Sequence, residues 1–288
     1  MIGSVSTGTA RKMPDLADML VSWLLERVGV PSQPPVDLAQ LAGKMAVEEV
    51  RDAAMVEDGR LEFRDGRAII YVRNDLPRGR RQFTIAHELG HRLLLHRQAA
   101  AIAYRRRLTG DSLERLCDDI AAAILLPRDW VEAEFGSSPR TLETLRRMSN
   151  MSSASLSASL VRLREVHRWP HSLLRFSYVT DRWRLASPAG VPGDMHGELR
   201  TTPMTHGVLT ALGCERSDDA LAKLPLQIAE MTWAFPAEVS VHQHVAVALV
   251  DLTRPGVLNC DEDIAGFLRR TAGESKLASE ASPRIQAR

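Results

Sequence analysis

Apolar residues recur along this chain with two different periods, and the alternation between them outlines its elements. Leu16, Met19, Leu20, Trp23, Leu24 and Val28 stand three and four apart and predict a helix over Asp15–Val28. "GVPSQPP" ends it, and Asp37 is placed to cap a short second helix, "LAQLAGKM". "AVEEVRD", "RLEFRDG" and "AIIYVRN" then read as short strands, the last two flanking Asp65-Gly66, a pair suited to a two-residue hairpin loop. The helical period returns in "RQFTIAHELGHRLLLH", predicted from about Gln82 to His96. It returns again in "LERLCDDIAAAILLP", which Asp111 or Ser112 starts and Pro127 stops.

"SSPRTLETLRRMSNMSSASLSASLVRLREV" carries two further helical patterns around a Ser-rich turn near Asn150–Ser153. From about Leu173 the pattern changes. "LLRFSYVTDRWRLASP" alternates like a hairpin, "TPMTHGVLTALG" and "DDALAKL" read as helical, and "IAEMTWAFP" and "EVSVHQHVAVALVDL" alternate again. Residues 1–13 read as a loose tail, and the polar residues 272–288 as disordered. The whole is an α+β pattern without internal repeats.

Composition narrows the setting. With 288 residues, 44% of them apolar, the chain can build one large or two modest cores. Lys+Arg 37 against Asp+Glu 36 leaves no global field that would recruit nucleic acid or an anionic membrane. Cys117, Cys214 and Cys260 are odd in number and widely spaced, which suits thiols in a reducing compartment. No apolar stretch has the length of a signal-peptide core or a membrane span, so a cytoplasmic location is expected.

The chemistry concentrates in "AHELGH". His87 and His91 are four apart, one above the other on a helix face, so two imidazole nitrogens can aim at one cation. Glu88 lies about 100° round the helix, off the ligand face but within reach of water at the site, where a general base belongs. A metal needs a third protein ligand. Glu114, 23 residues after His91, opens the next helix; with His87 and His91 it makes a His₂Glu set that leaves one position for water. Asp118, one turn on, is placed to accept a hydrogen bond from the other ring nitrogen of a ligating His. His96 falls about 140° off the ligand face, which suits packing or capping. An oxyanion stabiliser is expected near Tyr104, Arg105 or His96, although spacing selects none of them.

Three segments together resemble the ImmA/IrrE family of bacterial metallo-endopeptidases: "RQFTIAHELGHRLLLH", "ERLCDDIAAAILLP", and the approach "VDLAQLAGKMAVEEV…AIIYVRND", across about residues 35–165. The second matches a family helix that carries Ala, Phe and Met where this chain has Cys117, Ile120 and Leu126. The resemblance implies His87, His91 and Glu114 as metal ligands, Glu88 as catalytic base, and Zn²⁺ or Mn²⁺ as the cofactor. It implies a protein substrate, a helix-turn-helix repressor cut in a stress or mobile-element response. It also implies a layout: a zincin-like metallopeptidase domain over 14–136, a helix-turn-helix-like segment over 137–168, and a GAF-like α+β domain over 171–258.

Two alternatives stand beside this. Between Arg140 and Arg168 six Arg face two Glu, which admits a DNA-binding or ligand-sensing transcriptional regulator that uses its metal structurally. Leu142, Leu145, Met148, Leu156, Leu160 and Leu163 instead suggest two helices packed onto the peptidase core. His242 and His244 share a strand face and admit a second metal site, but without a third candidate ligand, packed or solvent-facing rings are the better reading. Trp169, Trp183 and Trp233 read as core. For an extended substrate, "AIIYVRN" is a candidate pairing edge, and the sequence does not select it over "RLEFRDG".

Overall fold

Asp65 and Gly66 both take positive φ, 51° and 79°, the backbone that a two-residue hairpin turn requires, and they join two of the strands read from the sequence. The computed structural model describes residues 16–96, 109–193, 195, 197–215 and 219–257. Tyr104, Arg105, Cys260, the stretch 1–13 and the tail 272–288 lie outside them. The chain divides into two units: Met1–Ala133 with Met151–Ala154, and Glu134–Asn150 with Ser155–Arg288.

The first unit begins with α1 (Leu16–Val28) and α2 (Leu38–Lys44), the latter capped as expected by Asp37, whose side chain accepts from the Gln40 N–H at 2.9 Å. Then come β1 (Val47–Ala53), β2 (Gly59–Arg64), β3 (Arg67–Arg73), α3 (Arg78–Leu94), α4 (Asp111–Leu125) and α5 (Arg128–Phe135), which runs into the second unit. The sheet order is β1-β3-β2, with β1 parallel and β2 antiparallel to β3. This decides between the two strands left open as a substrate edge. "AIIYVRN" is β3 and is paired on both sides, so its backbone has no edge to offer; β2, "RLEFRDG", is paired on one side only among the described residues. Ala68, Ile69, Ile70, Tyr71 and Val72 of β3 are all buried, as a central strand demands.

Helices α3 and α4 pack together, and Ile85, Leu89 and Leu93 of one and Leu116, Ile120 and Ile124 of the other are buried. Close approach is possible because residue 90 is Gly: a Cβ there would stand 3.3 Å from both the Cα and the carbonyl O of Cys117. A buried ion pair joins α1 to the start of α5, with Arg128 Nε donating to Asp18 Oδ2 at 2.7 Å. Nothing in the sequence pattern announced it.

The second unit holds α6 (Leu142–Ser152, its last two residues in the first unit), α7 (Leu156–His167) and strands β4 (Ser172–Val179), β5 (Arg182–Ala189) and β6 (Leu199–Thr201). After α8 (Pro203–Glu215) come β7 (Ala220–Ile228), β8 (Met231–His242), β9 (Val245–Val250) and β10 (Gly256–Val257). The antiparallel order is β5-β4-β9-β8-β7-β6, with β10 also on β8. "ALAKL" of the stretch "DDALAKL", read as helical, opens β7. Ala220, Ala222 and Leu224 face the core in strict alternation, and pairing with β8 from Ala220↔Val239 to Ile228↔Met231 overrides the helix preference of Ala, Leu and Lys. β6 stops at three residues, opposite Leu226, because the next partner would be Pro225, which has no N–H to give.

Most of the two helices α6 and α7, residues 142–150 and 156–167, clusters with this sheet. The Leu142 N–H donates to Glu238 at 2.7 Å, and Arg146 forms a two-pronged pair with Asp219. Their basic charge is largely spent at home: Arg162 bonds Glu165, Arg147 pairs with Glu134, and Arg164 donates to the carbonyls of Pro170 and His171. The α+β character holds for this unit; its GAF-like assignment rests on the resemblance. Trp169 and Trp183 are buried, and Trp233 packs against the core, as expected.

Candidate metal centre

Helix α3 carries its buried stripe, Ile85, Leu89 and Leu93, toward the core, and the same period sets His87 and His91 side by side on the flank that meets α4. The three ligand atoms read from the sequence converge. The two Nε2 atoms stand 3.1 Å apart, and Glu114 Oε2 lies 3.4 Å from His87 Nε2 and 3.5 Å from His91 Nε2. Zinc bonds of about 2.0–2.1 Å in a tetrahedron would set ligand atoms roughly 3.3–3.4 Å apart, so the triangle has the size of a metal site. Among the described residues, no other group of His, Cys, Asp and Glu meets this spacing. His242 and His244, held open as a second site, are exposed, and His244 stacks on Tyr178.

The outer nitrogens are held as well. Asp118 Oδ1 accepts from His87 Nδ1 at 2.9 Å, the role expected of it, which leaves the His87 Nε2 lone pair free for a cation. His91 Nδ1 faces Cys117 Sγ at 3.4 Å, a contact the sequence reading missed. It was partly legible, since Cys117 lies between Glu114 and Asp118 on the same helix. Burial, reinforced by the neighbouring His87 ring, holds the pKa of His91 below its usual value. Cys117, wholly buried and ringed by Glu114, Glu88 and Asp118, is pushed up to about 12 and is a neutral thiol. Glu114 and Asp118 are more than half exposed, so the centre opens toward solvent on the α4 side.

Glu88 stands apart from the triangle, as its position on the helix requires. It is 6% exposed, and burial raises its carboxyl above the ordinary carboxylate range. The charge of His87 and a hydrogen bond from the backbone N–H of Leu61 on β2 pull the other way. Gly59, two residues earlier on that strand, makes room: a Cβ there would lie 3.0 Å from Glu88 Oε1 and 2.3 Å from Thr84 Cγ2. Neither contact could be read from sequence, because the partners lie more than 20 residues apart across a strand-helix interface. His96 does not join the site; its ring lies against Trp23 with centroids 5.2 Å apart.

A family profile described as an IrrE N-terminal-like domain matches residues 45–161, the stretch that carries every residue of this centre. By this match residues 45–161 are similar to the IrrE-type peptidase domain. The chain is 32% identical over 94 residues to the radiation response metalloprotease IrrE of Deinococcus deserti, a match covering 30% of this chain and 34% of that protein. The chain thus spans about a third of the length of that curated relative. Among solved structures it is similar to a Mycobacterium tuberculosis transcriptional regulator, with 15% identity and a TM-score of 0.48 over 81% of this chain and 75% of that one. The His-His-Glu donor set is the kind a metallopeptidase domain of this family requires, and its spacing fits a divalent cation.

Proposed function

We propose that this IrrE-like protein is a metal-dependent endopeptidase that cuts a regulatory protein, a helix-turn-helix transcriptional repressor, in a stress or mobile-element response. One observation carries the hydrolase reading: three ligand atoms spaced for one cation beside a carboxylate that does not ligate. His87, His91 and Glu114 would hold the cation, Zn²⁺ or Mn²⁺. When bound, it would polarise the scissile carbonyl and make water a competent nucleophile at neutral pH. Glu88 receives the proton from that water and passes it to the leaving amine; its raised pKa suits a group that must both take and give.

Substrate alignment falls to β2. An extended segment adding to its open edge would hydrogen-bond where the Leu61 N–H now meets Glu88, so docking and the state of the base are linked through one donor. The DNA-binding alternative draws less support, because Arg146, Arg147, Arg162 and Arg164 are engaged within their own unit.

Metal analysis of the purified chain, with intact-mass spectrometry of helix-turn-helix repressors from the same genome, tests the reading. The parent is expected to hold about one equivalent of divalent metal and to cut a repressor. Glu114→Ala loses the metal, and Glu88→Gln keeps it without cutting. A parent that binds no metal, or Glu88→Gln cutting at the parental rate, would overturn it.

A further inference from the structure

Strand β2 is open on one side among the described residues, and its pairing decides which backbone groups face that side. The turn at Asp65-Gly66 is two residues long, so Arg64 and Arg67 make the hydrogen-bonded pair that closes the hairpin. Alternation then turns the N–H and C=O of Arg64, Glu62 and Arg60 toward β3, and those of Phe63 and Leu61 toward the open edge. The Leu61 N–H agrees, since it leaves the sheet and reaches Glu88.

Side chains alternate as well, between the two faces of the sheet. Leu61 and Phe63 share the face of Gly59, which packs on Thr84 and Glu88 of α3. Arg60, Glu62 and Arg64 line the other face. There Glu62 pairs with both arginines, at 3.0 Å from Arg60 and 3.2 Å from Arg64, and one positive charge of the row is left over. Charges on an edge strand guard it against indiscriminate pairing. Phe63 is no guard. Its ring is 54% exposed and stands beside an N–H and a C=O that face the open edge. A segment laid along this edge would place one residue opposite Phe63 on the α3 face, about 7 Å along the strand from the residue opposite Leu61 and Glu88. The residues next to it would fall over the arginine row.

We infer that Phe63 and Arg60 determine specificity at this edge, selecting an extended substrate segment with an apolar β-branched or aromatic residue opposite Phe63 and an acidic residue beside it. The inference rests on substrate docking along β2 as proposed above. Fluorescence anisotropy of labelled eight-residue peptides reads it without any cleavage, using the full-length chain with Glu88→Gln and one equivalent of Zn²⁺. The peptides alternate Val with Glu, Ser with Glu, or Val with Lys. The Val/Glu peptide is expected to bind about threefold to fivefold more tightly than either of the others. Phe63→Ser should erase the advantage of Val over Ser and keep that of Glu over Lys. Arg60→Glu, which turns the row negative, should reverse the second and keep the first. Both side chains are more than half exposed, so melting temperatures should stay near that of the unsubstituted chain.

Phe63→Pro separates the docking from the selection. The N–H it loses faces the open edge and takes no bond from β3, while a strand can no longer add there. Peptides that bind Phe63→Pro undiminished, or that do not bind the unsubstituted chain at all, would overturn docking along β2 and this inference with it. A dimer that Phe63→Pro dissolves, with no peptide bound, would do the same and give the edge to a second copy of the chain. Peptides that fail to bind Phe63→Pro, yet keep every preference with Phe63→Ser and Arg60→Glu, would overturn the inference alone.

Discussion

Gly90 of α3 and Cys117 of α4 meet backbone to backbone: a Cβ on the glycine would stand 3.3 Å from the Cα and the carbonyl O of the cysteine. Neither atom is the tip of a flexible side chain, so Gly90→Ala must push the helices apart. Helix propensity favours Ala by about 1 kcal/mol, while overpacking costs about 1–3 kcal/mol. The variant is expected to lose stability on balance and to bind zinc more weakly, because α4 carries Glu114. Gly43→Ala in α2, where nothing lies within 4 Å, should instead stabilise by up to about 1 kcal/mol. Urea unfolding of both variants, with zinc titration of the first, checks the contrast.

Gly59 answers for the base. A methyl there would meet Thr84 Cγ2 and Glu88 Oε1, and none of His87, His91 and Glu114 is among its nearest neighbours. Gly59→Ala is therefore expected to keep its metal and to hydrolyse substrate about a hundredfold more slowly, the scale of a misplaced catalytic group. Metal content measured beside cleavage rate separates this from a binding defect; loss of metal in the variant would contradict it.

Asp18 and Arg128 form an ion pair with side chains 4% and 8% exposed. Removing one partner strands the other's charge out of water, so Asp18→Ala is expected to cost about 3–5 kcal/mol. The lowered midpoint of denaturant unfolding reads it directly. A shift under about 1 kcal/mol would mean that the arginine finds water or another acceptor.

His171 sets a pH dependence in the second unit. Burial, with Arg140, Arg164 and Arg254 opposing the charge of Asp251, holds its pKa below the usual 6.5, and its Nδ1 is buried without a hydrogen-bond partner. The unfolded chain takes up a proton near pH 6.5, while the folded chain resists until the pH is lower. Between those points the unfolded state holds more protons, so acid weakens the fold and the loss levels off below the folded pKa. His171→Phe, which keeps a ring against Trp169, should flatten the part of this slope between pH 7 and pH 5. A parent equally stable at both pH values would rule it out.

The chemistry of the centre was written in local spacing. Two His four apart and two acids four apart each fix a helix face, since an α-helix leaves no choice about which side chains align, and the structure brings His87, His91, Glu114 and Asp118 together. The hairpin at Asp65-Gly66 and the helix cap at Asp37 were legible for the same reason: each is decided within a few residues. Tertiary structure alone decided the rest. It made β3 central and β2 the edge, turned the Ala- and Leu-rich start of β7 into a strand by pairing it with β8, and drew α6 and α7 to the sheet unit. It also set Leu61 against Glu88 and Cys117 against His91. Those outcomes depend on which surfaces meet across distant stretches of chain, and burial rewards many such pairings alike until the whole core is assembled.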